Sequence, residues 1–204
     1  MERFEGPKQE RQEPTEVKIL LSNEINQAIE CFANAIARDW PNSKEEAADW
    51  VFDEFHYPDS IIFGAHDKDK LIGTYSLVPL HFALERVSGS EHQLVLNALN
   101  QELKIDLSKA IYVGGLSVKK EYESQGIARK LFTFAENFAI SDGYEALVAH
   151  TARPSEKYQK IQALPIALSM YKMRELPLPH KIFYSSPDDL EKVWLYKLLK
   201  LYGN

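Results

Sequence analysis

The chain has a single cysteine, Cys31, in 204 residues. An internal disulfide is therefore excluded, and the composition fits a reducing compartment such as the cytoplasm. No run of about 18 apolar residues is present, which excludes a membrane-spanning helix. The first sixteen residues, Met1 to Glu16, are polar and charged and contain no apolar stretch of signal-peptide type. Basic residues are in the minority: 24 Lys and Arg stand against 30 Asp and Glu, a formal net charge of −6. Broad nucleic-acid binding relies on a basic surface, so that class is not expected. The six histidines (His56, His66, His81, His92, His150, His180) are scattered, without helical pair spacing. With one cysteine there is no Cys/His cluster, and no metal is expected. Neither a G-x-x-x-x-G-K-[ST] loop nor a G-x-G-x-x-G turn occurs.

What is present is an ordinary globular composition, 45% apolar, of a length that suits one domain. Residues 1–14, rich in Glu, Gln and Pro, read as a disordered lead-in, and residues 15–204 as a single domain. Thr15–Leu21 has strand character. Ile25, Ala28, Ile29, Phe32 and Ile36 recur at helical spacing up to about Asp39, with Asn23 in cap position. Trp40-Pro41 ends that helix, because the residue before proline avoids the helical region. Ser43 caps a second helix with Ala47, Trp50, Val51 and Phe55 on one side. Ile61–Ala65 and Leu71–Leu80 read as strands joined by the polar turn His66–Lys70. Glu85–Ser108 carries a short helix around Glu91–Leu103.

Ile111–Val118 is an apolar strand whose Gly114-Gly115 pair predicts a bulge or a close backbone approach. It runs through a charged turn and Gln125-Gly126-Ile127-Ala128 into a helix with Ile127, Leu131, Phe134, Ala135 and Phe138 on its apolar face. Small residues at 126 and 128 allow a group to approach the backbone. The helix start presents unpaired N–H groups at the positive end of its dipole, a plausible phosphate cradle. Lys119, Lys120, Arg129 and Lys130 flank it with positive charge. Glu145–Thr151 is a buried-looking strand, Ser155–Leu176 a helical stretch interrupted near Pro165, and Lys181–Ser185 and Lys192–Leu199 a closing strand pair.

Leu116, Val118, Tyr122, Gly126 and Ala128 resemble motif A of the GNAT (GCN5-related) N-acetyltransferase superfamily, which reads Leu-x-Val-x-Pro-x-Tyr-Arg/Gln-x-x-Gly-x-Gly/Ala. Lys120 and Glu123 depart from it, in place of the proline and the Arg or Gln. The resemblance implies an α/β (α+β) fold: a mostly antiparallel mixed sheet flanked by helices, in the order β-α-α-β-β-β-α-β-α-β-β. Glu85–Ser108 is then an insertion between the third and fourth strands. It also implies acetyl-coenzyme A as acyl donor, held by Ser124, Gln125, Gly126, Ile127, Ala128, Arg129 and Lys130. A backbone N–H in the stretch Leu116, Ser117, Val118 would polarise the thioester carbonyl. The acceptor would be a primary amine of a small molecule or peptide; a homodimer stays open.

Ala167–Lys172 resembles the family helix whose tyrosine faces the coenzyme sulfur, which makes Tyr171 the candidate acid; Leu164 stands where the family has asparagine. Some members place a glutamate early in the fourth strand, where this chain has Tyr112. The candidate bases are therefore His81, after the third strand, and His150, near the end of the fifth, since a neutral imidazole suits proton removal near pH 7. Cys31, on the first helix, is not placed for a covalent intermediate, so direct attack is expected. Asp188 and Asp189 are candidates to meet a cationic amine. Two other outcomes stay open: a GNAT-shaped binding domain without turnover, and transfer of a longer acyl group through a tunnel shaped by residues 85–108.

Overall fold

The computed structural model describes residues 15–87, 91–184 and 190–199. The N-terminal lead-in and Asp188-Asp189 lie outside the described residues.

Strand β1 (Glu16–Ile19) is followed by helices α1 (Ile25–Asp39) and α2 (Lys44–His56). Ser43 caps α2 as expected: its Oγ accepts from the Glu46 N–H at 3.1 Å, and Glu46 Oε2 accepts from the Ser43 N–H at 2.8 Å. Each orphan donor at a helix start satisfied in this way contributes about 1 kcal/mol. Both helices bury the stripe their spacing predicts, Ala28, Ile29 and Phe32 on α1 and Ala47, Val51 and Phe55 on α2. Asn23 lies instead in a short 3-10 turn, Ser22–Glu24, ahead of α1.

The hairpin β2 (Ile61–Asp67) and β3 (Lys70–Pro79) turns through Lys68 and Asp69, with Lys68 at φ +54°. The insertion that follows holds two helices, α3 (Leu80–Val87) and α4 (His92–Leu103), where the sequence led us to expect one. Their apolar sides, including Leu80, Leu84, Val95 and Leu99, pack with Val78, Tyr112, Val148 and Trp194 in a core of their own.

Strand β4 (Ala110–Val118) leads into α5 (Ile127–Ser141), then β5 (Ala146–Ala152), α6 (Ala163–Ser169), and the short strands β6 (Arg174–Glu175) and β7 (Ile182–Phe183) before β8 (Glu191–Leu198). The buried stripe of α5 is Ile127, Leu131, Phe132, Ala135 and Ala139. Phe134 is 38% exposed and lies at the margin, edge-on to Phe63 at 5.5 Å. Helix α6 is much shorter than the 155–176 stretch. Pro165 sits in its first turn, where a missing N–H costs nothing, and residues 157–160 form a turn.

One sheet runs in the order β1-β2-β3-β4-β5-β8-β6, with β7 also pairing β8. Among the described strands every pairing is antiparallel except β4 with β5. That parallel pairing spans three residue pairs, Ala110–Tyr112 against Ala146–Val148. Beyond Tyr112, β4 keeps its partner β3 and β5 keeps its partner β8, but the two central strands part. The wedge between them is the feature that positions the site.

Candidate active site

Gly115 lies in the left-handed region at φ +59°, and the register changes there: Thr74 faces Ser117 and Ser76 faces Gly114, so Gly115 and Leu116 oppose Tyr75 alone. This is the bulge that the glycine pair predicted. A Cβ at 115 would meet the Phe55 ring at 2.8 Å, so only glycine fits. Thr74 Oγ1 donates to the Gly115 carbonyl at 3.0 Å and contacts Ser117 Oγ at 2.9 Å, which stitches the bulge to β3. Ser117 Oγ reaches Cys31 Sγ at 3.7 Å. Burial pushes the Cys31 thiol up, away from thiolate chemistry.

Past β4, a 3-10 turn (Lys120–Tyr122) is anchored by Tyr122, whose hydroxyl donates to Asp67 Oδ2 at 2.9 Å. Ser124 (φ +60°) and Gly126 (φ +78°) both take left-handed backbone, and Gly126 caps α5. A Cβ built on Gly126 would meet nothing within 4 Å. The space above the helix start is open, and a side chain would fill it. Here Leu116, Ser117, Val118, Ser124, Gly126, Ile127, Ala128 and Arg129 line a cavity of about 1570 Å³ that continues into the wedge. Gln125 and Lys130 do not line it; Gln125 Nε2 turns back to the Glu121 carbonyl at 3.1 Å. Glu123 Oε1 lies 2.7 Å from Arg38 Nη2, so its charge is answered within the protein. Arg38 also holds Asp39 through two bonds of 2.8 and 2.5 Å.

Tyr171 lies two residues past the end of α6, and its ring stacks on Phe132 at 4.0 Å and 4°. Its residue is 6% exposed, it lines the cleft, and its hydroxyl has no hydrogen-bond partner among the described residues. Burial raises its pKa to about 12, against the opposing pull of the Arg129 charge. A phenol kept protonated and unbonded is a proton donor in waiting. Leu164 is buried in the main core and does not line the cavity.

Neither histidine stands as a ready base. His81 lies in the first turn of α3, outside the cleft lining, exposed, with Nε2 3.1 Å from the Tyr57 hydroxyl. Strand β3 ends at Pro79, and the chain turns into the helix before the imidazole could face the wedge. His150 does line the cleft, but burial lowers its pKa to about 3, with a smaller contribution from the Lys192 charge. So weak a base holds an abstracted proton poorly. Its Nδ1 is 3.0 Å from the Tyr184 hydroxyl, and Tyr112 and Trp194 pack around its ring.

The carboxylate that sequence reasoning missed is Glu54, on α2. Its Oε1 accepts from Ser76 Oγ at 2.5 Å and lies 2.7 Å from the place a Gly114 Cβ would take, beside the start of the wedge. Burial raises its pKa from 4.5 to about 7, which the Ser76 bond and Arg86 partly oppose. The signal was available: Glu46, Asp49, Trp50, Asp53 and Glu54 share the stripe of α2 next to the buried Ala47, Val51 and Phe55, and all five line the cleft. Among the described residues no group of His, Cys, Asp and Glu could hold a metal ion.

A model of the acetyltransferase (GNAT) family matches residues 29–160. The chain belongs to the GNAT acetyltransferase family. It is thereby an acyl-coenzyme A N-acetyltransferase by class. Solved GNAT folds resemble it over nearly all of its length. The ribosomal-protein-S18-alanine N-acetyltransferase from Escherichia coli shares 13% identity, with a TM-score of 0.60 over 94% of this chain and 97% of that one. An aminoglycoside 6′-N-acetyltransferase complexed with coenzyme A shares 13%, with a TM-score of 0.58 over 92% and 99%. An N-acetyltransferase from Staphylococcus aureus Mu50 shares 15%, with a TM-score of 0.57 over 92% and 100%. At such identities the likeness is one of fold. No curated protein sequence matches the chain.

Proposed function

We propose that this GNAT protein transfers an acetyl group from acetyl-coenzyme A to a primary amine of a small molecule or peptide, by direct attack. One observation carries the reading: a single cavity joins the open cradle at Gly126, the unbonded Tyr171 hydroxyl and the Glu54 carboxylate, through the wedge between β4 and β5.

The cradle fits the coenzyme. Amides of the first turn of α5 and the clear space above Gly126 suit a pyrophosphate, and Arg129 adds a charge at its edge. When bound, acetyl-coenzyme A supplies the activated thioester. Backbone N–H groups of β4 beyond Tyr112, released from β5, are available to polarise its carbonyl oxygen. Glu54 takes the proton that the acceptor nitrogen loses, and a pKa of about 7 keeps it partly ionised at neutral pH. Tyr171 Oη gives its proton to the sulfur as the carbon–sulfur bond breaks. Bonds and protons then balance: an amide N–C bond replaces the C–S bond, one proton moves onto Glu54 and one leaves Tyr171. Solvent returns both groups to their starting states.

The departures from the family pattern are compatible with turnover. Arg38 offsets the Glu123 charge, and Glu54 supplies a carboxylate that β4 lacks. Transfer of a longer acyl group has less support: α3 and α4 pack into a separate core, and of the two helices only Arg86 lines the cavity among the described residues. The test is release of free coenzyme A thiol over an amine panel, with a melting shift by coenzyme A alone as the binding readout. Thiol release that depends on added amine supports transfer; a coenzyme A shift without release for any amine supports a binding domain instead.

A further inference from the structure

One residue of the insertion between β3 and β4 reaches the base. Three side chains of α3 meet the second half of α2 and the residue after it. Phe82 stacks on Tyr57 at 3.9 Å and 26°, and His81 Nε2 lies 3.1 Å from the Tyr57 hydroxyl. Arg86 makes the closest grip. Its Nη1 pairs with Asp53 Oδ2, and its Nη2 donates to the Asp49 and Trp50 carbonyls, both at 3.3 Å. In an α-helix those two carbonyls also accept from the N–H groups of residues 53 and 54. The guanidinium therefore closes on the turn that carries Glu54, and both residues line the cleft. A planar fork suits several fixed acceptors at once, which an ammonium would not match. The Arg86 side chain also lies over Phe82, with Cζ 5.9 Å from the ring centroid.

The carboxylate itself is fixed from the sheet. Ser76 on β3 is fully buried and donates to Glu54 Oε1 at 2.5 Å. The charged and titratable groups around Glu54 are few. Tyr75 on β3 and Tyr112 on β4 feel its charge, but burial pushes both phenols well above their ordinary range, so they stay neutral. Burial likewise keeps His150 on β5 neutral. On α2 itself, Asp53 is turned to Arg86. Arg86 is thus the positive charge that acts on Glu54 among the described residues.

We infer that Arg86 is a positioning residue for Glu54: from the insertion it holds the turn of α2 that presents the carboxylate to the wedge, and its charge favours the ionised, proton-accepting form. This rests on the acyl-transfer reading with Glu54 as its base. The insertion then serves the chemistry without touching either substrate, by bracing the helix that bears the base.

The test uses the full chain with isotope-labelled glutamate carboxyl groups. Nuclear magnetic resonance follows the Glu54 signal, identified by its absence in Glu54→Gln. The wild-type signal should titrate near 7. In Arg86→Gln and in Arg86→Met, which keeps an apolar stem against Phe82, it should titrate at higher pH, because an opposite charge is gone. Thiol release at pH 7, with the fastest amine of the panel, should fall about tenfold in both, from a smaller ionised fraction and a looser carboxylate. Coenzyme A affinity by calorimetry should hold, which shows the variants folded. Arg86→Lys, with the charge but not the fork, should restore the wild-type titration and only part of the turnover. An unmoved Glu54 titration or wild-type turnover in both removal variants, or a lysine variant that titrates like the glutamine one, overturns the inference and leaves Glu54 standing as base. A wild-type Glu54 that titrates near 4.5 overturns both.

Discussion

The two sides of the cleft are built in different ways. The cradle side is one continuous stretch, from β4 through residues 119–126 to the start of α5, and it works with backbone, small residues and left-handed turns. The side beyond the wedge is assembled from the end of α1, the polar stripe of α2, β5 and the segments around β7 and β8, and it works with rings and one carboxylate. A group common to many reactions can be gripped by backbone in a local motif. A variable partner needs side chains gathered from distant parts of the chain. The difference predicts that substitutions on the two sides separate donor binding from chemistry and acceptor choice.

Glu54→Gln gives the largest expected effect. Turnover should fall about 10²- to 10⁴-fold, the usual range for losing a general base, with the coenzyme A melting shift retained. Stability should move the other way. The folded-state pKa is raised from 4.5 to about 7, so the native state binds this proton more tightly than the unfolded chain does. The stabilisation is complete below about pH 4.5 and is lost as pH rises through 7. At pH 8, denaturant titration should find the glutamine variant more stable by about 3 kcal/mol at most, and no difference should remain near pH 4. Equal loss of coenzyme A binding would break the comparison, because Glu54 would then serve both sides.

Tyr171→Phe keeps the stack on Phe132 and removes only the unbonded hydroxyl. Turnover should fall about ten- to a thousandfold, with coenzyme A affinity nearly intact by calorimetry. Unchanged turnover would assign the ring to packing. Gly126→Val fills the open space with a branched side chain on left-handed backbone. Strain of about 1–3 kcal/mol should lower the melting point, and the shift by coenzyme A should disappear. A surviving shift would move the phosphates away from this loop.

Glu123→Gln sharpens the comparison with the smallest effect. An unanswered carboxylate about 8 Å from a pyrophosphate, at an effective dielectric near 20, would cost on the order of 2 kcal/mol, and its removal would tighten binding severalfold. The Arg38 guanidinium, which Asp39 also holds, offsets part of that cost, so the change should stay within about twofold across a salt titration. Arg38→Gln, which uncovers the Glu123 charge, should weaken coenzyme A binding more.

The local half of this site could be read from the sequence. Gly114-Gly115 announced the bulge, Gly126 the cradle, and Ser43 the start of α2, because each states a backbone need at a single position. The polar stripe of α2 is legible too, but which of its carboxylates meets the wedge is not. The role of Glu54 depends on Ser76 and Gly114, 22 and 60 positions along the chain, and on the parting of β4 from β5, which no run of residues encodes. His150 has the residue type of a base, but the rings packed around it and its burial remove that capacity. His81 does follow β3, as expected, but it lies in the first turn of α3, outside the cleft lining. The 155–176 stretch has apolar spacing enough for a long helix, yet α6 covers only Ala163–Ser169, with Pro165 in its first turn.

The central claim is that Glu54 takes the amine proton in the wedge. Its most direct test is the pH dependence of the turnover number at saturating acetyl-coenzyme A and amine, measured by thiol release for the wild type and Glu54→Gln. The account predicts a wild-type rate that rises with pH through one ionisation near 7, set by the raised Glu54 pKa. That limb should be missing from the residual activity of the glutamine variant. The same limb near pH 7 in both proteins would contradict it and assign the proton transfer to another group.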